Sequence, residues 1–366
     1  MKILYLGLTH PYDLRVLKEY GTLIKNGYTI KYAGIYRNYD RVNDNGAVLD
    51  FTMFERTIPS GIRTIKFIPS IMRYFLSVMV KEKPDVIHCI NEEVAFMVIT
   101  LNLILGRQTK IVCDIFDHAP MRVRNIAFKL IMTVISWACH KSCKAIIVTD
   151  ENRKNKFIGR RYLDKTYILP NYPRYEGITI PDLQPDGKTK ILCAGALSQA
   201  RGILELLEAC ENINNVEIIC AGPIADDIVR KHIMTSHNCK YYGVLSYNDV
   251  VNLGVKCDAI FAFYKPVTMN NIYASPNKIY DALLMGRPVI INSETILSRF
   301  IEENKLGYVG GYSDLYSLAE YIKSLRTRRS SLKNFSNRVR KMGKEYYSWE
   351  STEYNLLQIY MKLSSC

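Results

Sequence analysis

The 366-residue sequence predicts an α/β protein built from two doubly wound, Rossmann-like domains, and three observations carry that expectation. Short apolar runs alternate with amphipathic stretches in both halves, the βαβ rhythm of a parallel sheet. Between the halves, NYPRYEGITIPDLQPDGKTK carries Pro173, Pro181 and Pro185 and holds no sustained period. Several apolar runs end in glycine or polar residues, the positions from which open α/β sheets meet ligands. One domain is expected over 1–171, completed by a helix at 349–366, and a second over 172–348.

In the first half, KILYLG (Lys2–Gly7) reads as the opening strand. Val16, Leu17, Tyr20 and Leu23 keep the helical period from Asp13 to Asn26, Gly27 stops the helix, and a second strand follows. No G-x-G-x-x-G is present, so this half does not look built for a dinucleotide. Further strands are expected at Asp85–Cys89, Lys110–Asp114, Ala145–Thr149 and Thr166–Pro170. His88, Asn91, Asp114, Asp117 and His118 fall at their ends. Asp114 reads as a strand-end cap, and Asp117 is placed to orient the His118 ring. His10 and Asp13 lie in the loop after the first strand.

Two stretches of this half mix basic and large apolar residues. Around 62–80, Arg63, Lys66 and Arg73 interleave with Ile65, Phe67, Ile68, Ile71, Phe75 and Leu76. Around 121–139, Arg122, Arg124 and Lys129 precede an apolar stretch ending at Trp137. Such helices either rest on anionic lipid or are core helices with a solvated rim. For the second, the core helix is the preferred expectation.

In the second half, Lys190–Cys210 reads strand, loop, helix, with Gly195 in the loop and Arg201 at the helix start. Arg201 is either a surface charge or a guanidinium gripping phosphate by two bonds. Val216–Pro223 is a strand running into Gly222, and Ser246 caps the helix that follows Val244. The stretch SPNKIYDALLMGRPVIIN (Ser275–Asn292) reads as a Ser275 cap, Pro276 at the first helical position, a stripe of Ile279, Leu283 and Leu284, a Gly286 stop and a buried strand. The open end of that helix, with Asn277 and Lys278 on it, favours an anion. Asp281, one turn further on, is placed to accept from ribose hydroxyls. The basic run Arg326–Lys344 reads as a solvated helix face.

Lysine and arginine number 49 against 35 acidic residues, a net charge of +14. Nucleic acid, an anionic membrane or a phosphorylated substrate would each account for it. No helix-turn-helix, zinc-finger or RNA-recognition signature supports nucleic acid, and that partner is not expected. The ten cysteines are scattered, with Cys89, Cys113, Cys193 and Cys220 in apolar strands, as expected of free thiols in a reducing cytoplasm. Cys139, His140 and Cys143 lack the second pair a metal site needs. The start shows no secretory signal, and the longest apolar run, Val94–Leu105, is too short to span a bilayer.

SPNKIYDALLMGRPV resembles the donor-site segment of family 4 glycosyltransferases. The resemblance implies the GT-B fold, two Rossmann-like domains facing across a cleft, with the C-terminal helix crossing back to the first domain. It implies a retaining transferase moving a sugar from a nucleoside-diphosphate sugar to a glycan or lipid-linked acceptor in surface polysaccharide or glycolipid synthesis. Asp281 matches the second of the family's two glutamates, and Tyr273 stands where the first would be. In the family's G-R-x-x-x-x-K-G segment, Ala196 replaces the arginine and Arg201 the lysine, so Lys278 would supply the second cation. Donor contacts are thereby implied for Gly195, Arg201, Gly222, Val244, Ser275, Asn277, Lys278 and Asp281. Catalytic roles fall to His118, Arg201 and Lys278, and acceptor contacts to His10, Asp13, His88, Asn91 and Asp117. His10 is otherwise loop scaffolding, and His118 otherwise a histidine satisfied by backbone. No Asp-x-Asp occurs, so no metal or other cofactor is expected. The protein is expected in the cytoplasm, at the inner face of the membrane if the acceptor is lipid-linked. The alternatives are a nucleotide-sugar 2-epimerase of the same fold and a non-catalytic basic binding protein.

Overall fold

A computed structural model describes residues 1–37, 49–59, 61–123, 125–175, 178–181 and 187–365; Arg124 and Pro185 lie outside them. The chain divides into two compact units, Met1–Asn171 with Thr352–Cys366, and Tyr172–Ser351.

The strands of the first unit are β1 (Lys2–Leu6), β2 (Thr29–Arg37), β3 (Phe51–Ile58), β4 (Val86–Ile90), β5 (Lys110–Asp114), β6 (Ala145–Val148) and β7 (Thr166–Ile168). They form one parallel sheet in the order β3-β2-β1-β4-β5-β6-β7. Parallel neighbours need crossover connections, and α1 (Leu14–Lys25), α2 (Ile68–Glu82), α3 (Glu92–Ile104), α4 (Ile126–Ser142) and α5 (Glu151–Phe157) lie between the strands. Strand β3 was not visible in the sequence. It is an edge strand whose only buried side chain is Ile58, so it shows none of the alternation that marks a half-buried strand.

The two mixed stretches separate sharply. Helix α2 buries Ile71, Phe75, Val78 and Met79, and its basic residues stay on the rim. Helix α4 buries only Ser136, Cys139 and His140. Ile126, Leu130, Val134 and Trp137 are 77%, 64%, 64% and 51% exposed. The expectation of a core helix over 121–139 is therefore corrected: its small and polar residues face the protein and its large apolar residues face outward.

The second unit contains β8 (Thr189–Ala194), β9 (Val216–Ala221), β10 (Cys239–Tyr241), β11 (Ala259–Phe261), β12 (Val289–Asn292) and β13 (Gly307–Gly310), parallel and ordered β10-β9-β8-β11-β12-β13. Successive strand residues point to opposite faces. Ile191, Cys193, Ile218, Cys220, Phe261 and Ile290 accordingly enter one core, and Leu192, Ile219, Ile260, Val289 and Ile291 the other. The helices are α6 (Ile203–Cys210), α7 (Asp227–Thr235), α8 (Tyr247–Gly254), α9 (Met269–Ile272), α10 (Asn277–Met285), α11 (Ser298–Glu303), α12 (Leu315–Leu325) and α13 (Arg329–Tyr346). The last helix, α14 (Trp349–Ser365), begins in this unit and from Thr352 belongs to the first. Cys89, Cys113, Cys193 and Cys220 are buried free thiols. Among the described residues, no helix is long and apolar enough to cross a membrane.

Candidate functional site

The C-terminal ends of the second sheet gather the expected donor residues. After β8 the chain turns at Gly195, whose N–H donates to the Ala221 carbonyl at 2.9 Å. After β9, Gly222 sits at φ +136°, and a Cβ there would stand 2.0 Å from the Gly195 carbonyl oxygen. Only glycine lets these two turns meet. The Gly222 N–H donates to the Gly243 carbonyl at 2.7 Å, which sets the exposed Val244 on the neighbouring turn.

Arg201 ends a short turn, and Gly202, at φ +67°, opens α6. A Cβ on Gly202 would lie 2.5 Å from Phe263 Cβ, so this start too requires glycine. The Arg201 guanidinium lies 4.3 Å from the centre of the Tyr264 ring, and the Lys278 ammonium lies 5.7 Å from the same centre. Two cations from segments 77 positions apart thus converge on one aromatic face, a contact the ring quadrupole favours. Tyr264 is held in turn by Asn292, which accepts its N–H at 2.7 Å and donates to its carbonyl at 3.1 Å. Burial pushes the Cys193 thiol up to about 11, and the nearby Lys278 charge pulls the other way.

The start of α10 differs from the expectation. Pro276, not Ser275, is the cap residue, Asn277 is the first helical residue, and no side chain caps the helix. Its leading N–H groups therefore lack side-chain acceptors. Asp281 accepts from the Tyr247 hydroxyl at 2.7 Å. Burial, then the Asp281 charge, hold that phenol well above its usual range.

In the first unit, His118 is buried and stacked 4.9 Å from the Phe157 ring. Its Nδ1 lies 3.0 Å from Glu92 Oε1. Glu92 also accepts from the Ala119 N–H at 2.7 Å and the Ser136 hydroxyl at 2.5 Å, and His140 Nε2 lies 3.2 Å away. Burial alone would raise the Glu92 pKa, but hydrogen bonds from His118, His140 and Ser136 outweigh it and hold the carboxyl well below its usual range. Glu92, not Asp117, orients the ring. Nothing local in the sequence marks it, because it lies 26 positions before the histidine it holds.

Other first-unit residues are taken up by the scaffold. His10 Nδ1 accepts the Tyr12 N–H at 3.1 Å, and Asp13 caps α1 by accepting the Arg15 N–H at 2.9 Å. Asn91, at φ +69°, braces the 116–118 loop, its Oδ1 accepting the N–H groups of Phe116 and Asp117 at 2.9 and 3.1 Å. His88 is corrected outright. It is wholly buried, stacked 4.1 Å from the Tyr5 ring, with Nδ1 2.6 Å from the Tyr360 hydroxyl of α14, and so is out of an acceptor's reach. Asp114 is likewise no cap. It takes two bonds from Arg15, at 2.9 and 2.7 Å. Ligand atoms of Glu19, His88 and Asp114 lie within 4.8 Å of one another. Arg15, 3.0 Å from Glu19 and bonded to Asp114, already supplies the cation there. Cys139 donates to the Glu92 carbonyl instead of joining His140 and Cys143 around an ion.

Two parallel sheets of seven and six strands, with a last helix that starts in the second unit and ends in the first, define the GT-B fold. Sucrose-phosphate synthase from Thermosynechococcus elongatus superposes with a TM-score of 0.78 at 13% identity, over 100% of this chain and 99% of its own. HepE from Anabaena, in complex with UDP, gives 0.74 at 13% identity over 100% of both chains. The lipopolysaccharide outer core galactosyltransferase WaaB gives 0.68 at 11% identity over 99% of both. At such identities the likeness is one of fold. No protein-family model matches the sequence, and no curated protein does.

Proposed function

We propose that the protein is a retaining glycosyltransferase that moves a sugar from a nucleoside-diphosphate sugar, with UDP as the nucleotide, to a glycan or lipid-linked acceptor in surface polysaccharide or glycolipid synthesis. The observation that carries this reading is the meeting of Arg201 and Lys278 on the Tyr264 ring, beside a helix start with no side-chain cap. HepE shares the fold and was solved with UDP and with UDP-glucose, which supports the donor class, and WaaB supports the acceptor class.

In this reading the diphosphate lies against Arg201, Lys278 and the first N–H groups of α10. As the glycosidic bond to the β-phosphate breaks, negative charge grows on the leaving oxygen, and these preorganised donors stabilise it. Two side-chain cations then serve without a chelated metal. Asp281 holds the ribose, and the Gly222 and Val244 turns hold the base. Glu92 keeps a proton on His118 Nδ1, so Nε2 is the atom turned to the transferred sugar or the acceptor. The setting is the cytoplasm, at the inner face of a membrane when the acceptor is lipid-linked.

Arg201→Ala and Lys278→Ala are each expected to lower turnover of a UDP-sugar by 10²-fold or more, about 2.7 kcal/mol of lost transition-state stabilisation. UDP affinity measured by calorimetry should fall with them. Unchanged turnover in both variants would discard the assignment, and conversion of the donor without any acceptor would move it to epimerisation.

A further inference from the structure

We propose that the outward face of α4 docks this protein on an anionic lipid bilayer. The inference goes beyond the donor reading and does not depend on it. Ile126, Leu130, Val134 and Trp137 recur at i, i+4, i+8 and i+11, and all four are exposed. At about 100° per residue they fall in one arc of roughly 80°, along a stripe about 16 Å long. A folded chain rarely leaves so many large apolar side chains together in water, and such a patch marks a surface that something covers.

Charge identifies what covers it. From Ala119 to Thr149 the sequence holds Arg122, Arg124, Lys129, Lys141 and Lys144 and no aspartate or glutamate. Arg122 is paired with Glu93 at 2.8 Å, whereas Lys129, Lys141 and Lys144 are exposed. The Lys141 ammonium stands 5.3 Å from the Trp137 ring, at the end of the stripe. An apolar strip ending in tryptophan and bordered only by lysines matches the headgroup layer of a bilayer: the rings and branched chains enter the acyl boundary and the ammonium groups meet lipid phosphates. The same face would repel a second copy of itself, since each copy would bring the same unbalanced lysines. The core reading fails for this helix because Ser136, Cys139 and His140, its inward residues, already fill the contact with α3.

The test uses the full chain and no sugar nucleotide. Vesicles of phosphatidylcholine alone, and of phosphatidylcholine with phosphatidylglycerol, are sedimented with the protein at rising salt. Expected are binding to the anionic vesicles that weakens with salt, little binding to the neutral ones, and a blue shift of Trp137 emission on binding. Trp349, the other tryptophan, is wholly buried and should not respond. Leu130→Ser with Val134→Ser, both at exposed positions, should lower the partition coefficient tenfold or more while the melting temperature holds. Lys129→Ser and Lys141→Ser should each lower it about fivefold. Absent binding to anionic vesicles, or equal binding by the Leu130/Val134 variant, overturns the proposal. Equal binding to both vesicle types overturns it as well. A dimer abolished by the Leu130/Val134 variant, without vesicle binding by the parent, makes a second copy the occupant and also overturns it.

Discussion

Tyr264 organises the cationic end of the second sheet without carrying a charge itself. Its ring is the common neighbour of the Arg201 guanidinium and the Lys278 ammonium, and Asn292 pins its backbone from β12. Each cation–ring contact at a partly exposed site is worth roughly 0.5–1 kcal/mol. Tyr264→Leu should therefore weaken UDP binding about 5- to 10-fold in calorimetric titration, whereas Tyr264→Phe, which keeps the ring, should stay near the parent. Equal loss in both would assign the effect to the hydroxyl and not to the face. Arg201 and Lys278 were legible in the sequence because each is a cation at a helix start. Tyr264 was not, because it ends the apolar run that begins at Ala259 and reads as one more buried strand residue. Glu92 escaped for another reason. Sequence proximity favoured Asp117 as the partner of His118, and only the parallel arrangement of β4 and β5 brings the start of α3 beside the loop that follows β5.

At the scale of elements, the beginnings of helices carry most of the chemistry, and they were also where the sequence was least reliable. Ser275-Pro276 reads as a serine cap with proline in the first turn, yet the helix starts one residue later and no side chain caps it. Strand β13, GYVG, shows no apolar alternation and emerges only from its pairing with β12. Helices α2 and α4 look alike in composition, and their opposite roles follow from which residues are small. In α4 the serine, cysteine and histidine fit against α3, leaving the branched residues outside. The start of α3 makes a prediction of its own. Glu92 is ionised and hydrogen-bonded in the fold, with a pKa depressed below the ordinary 4.5 of the unfolded chain. A depressed carboxyl contributes stability that is complete above the unfolded pKa and drains away as pH falls toward the folded one. Glu92→Gln should therefore melt below the parent at pH 7, with the gap narrowing steadily below pH 4.5. A gap that does not change with pH would mean that shape, not charge, is what Glu92 contributes.

For the whole molecule, the two units differ in what a nucleotide can do to them. Every donor residue proposed here lies between Gly195 and Asp281, inside the unit Tyr172–Ser351, while His118 and Glu92 lie in the other. The alternation of strands and helices made two such units legible, and the proline-bearing stretch beginning at Asn171 marked where the chain changes character. The return of the chain to the first unit was legible only by resemblance, because α14 looks like any amphipathic helix until Tyr360 is seen against His88. A ligand that binds only a folded unit stabilises it by an amount set by its concentration over its dissociation constant, about 2.7 kcal/mol at a hundredfold excess. UDP at that excess should slow amide exchange about a hundredfold in the core of β8 and β9, where exchange requires unfolding of the second unit. The amides of β4 and β5 should exchange as before. Equal slowing in both sheets would show that the units unfold as one body, so that nucleotide bound in one stabilises the other. Slowing confined to β4 and β5 would move the nucleotide to the first unit and remove Arg201 and Lys278 from the site.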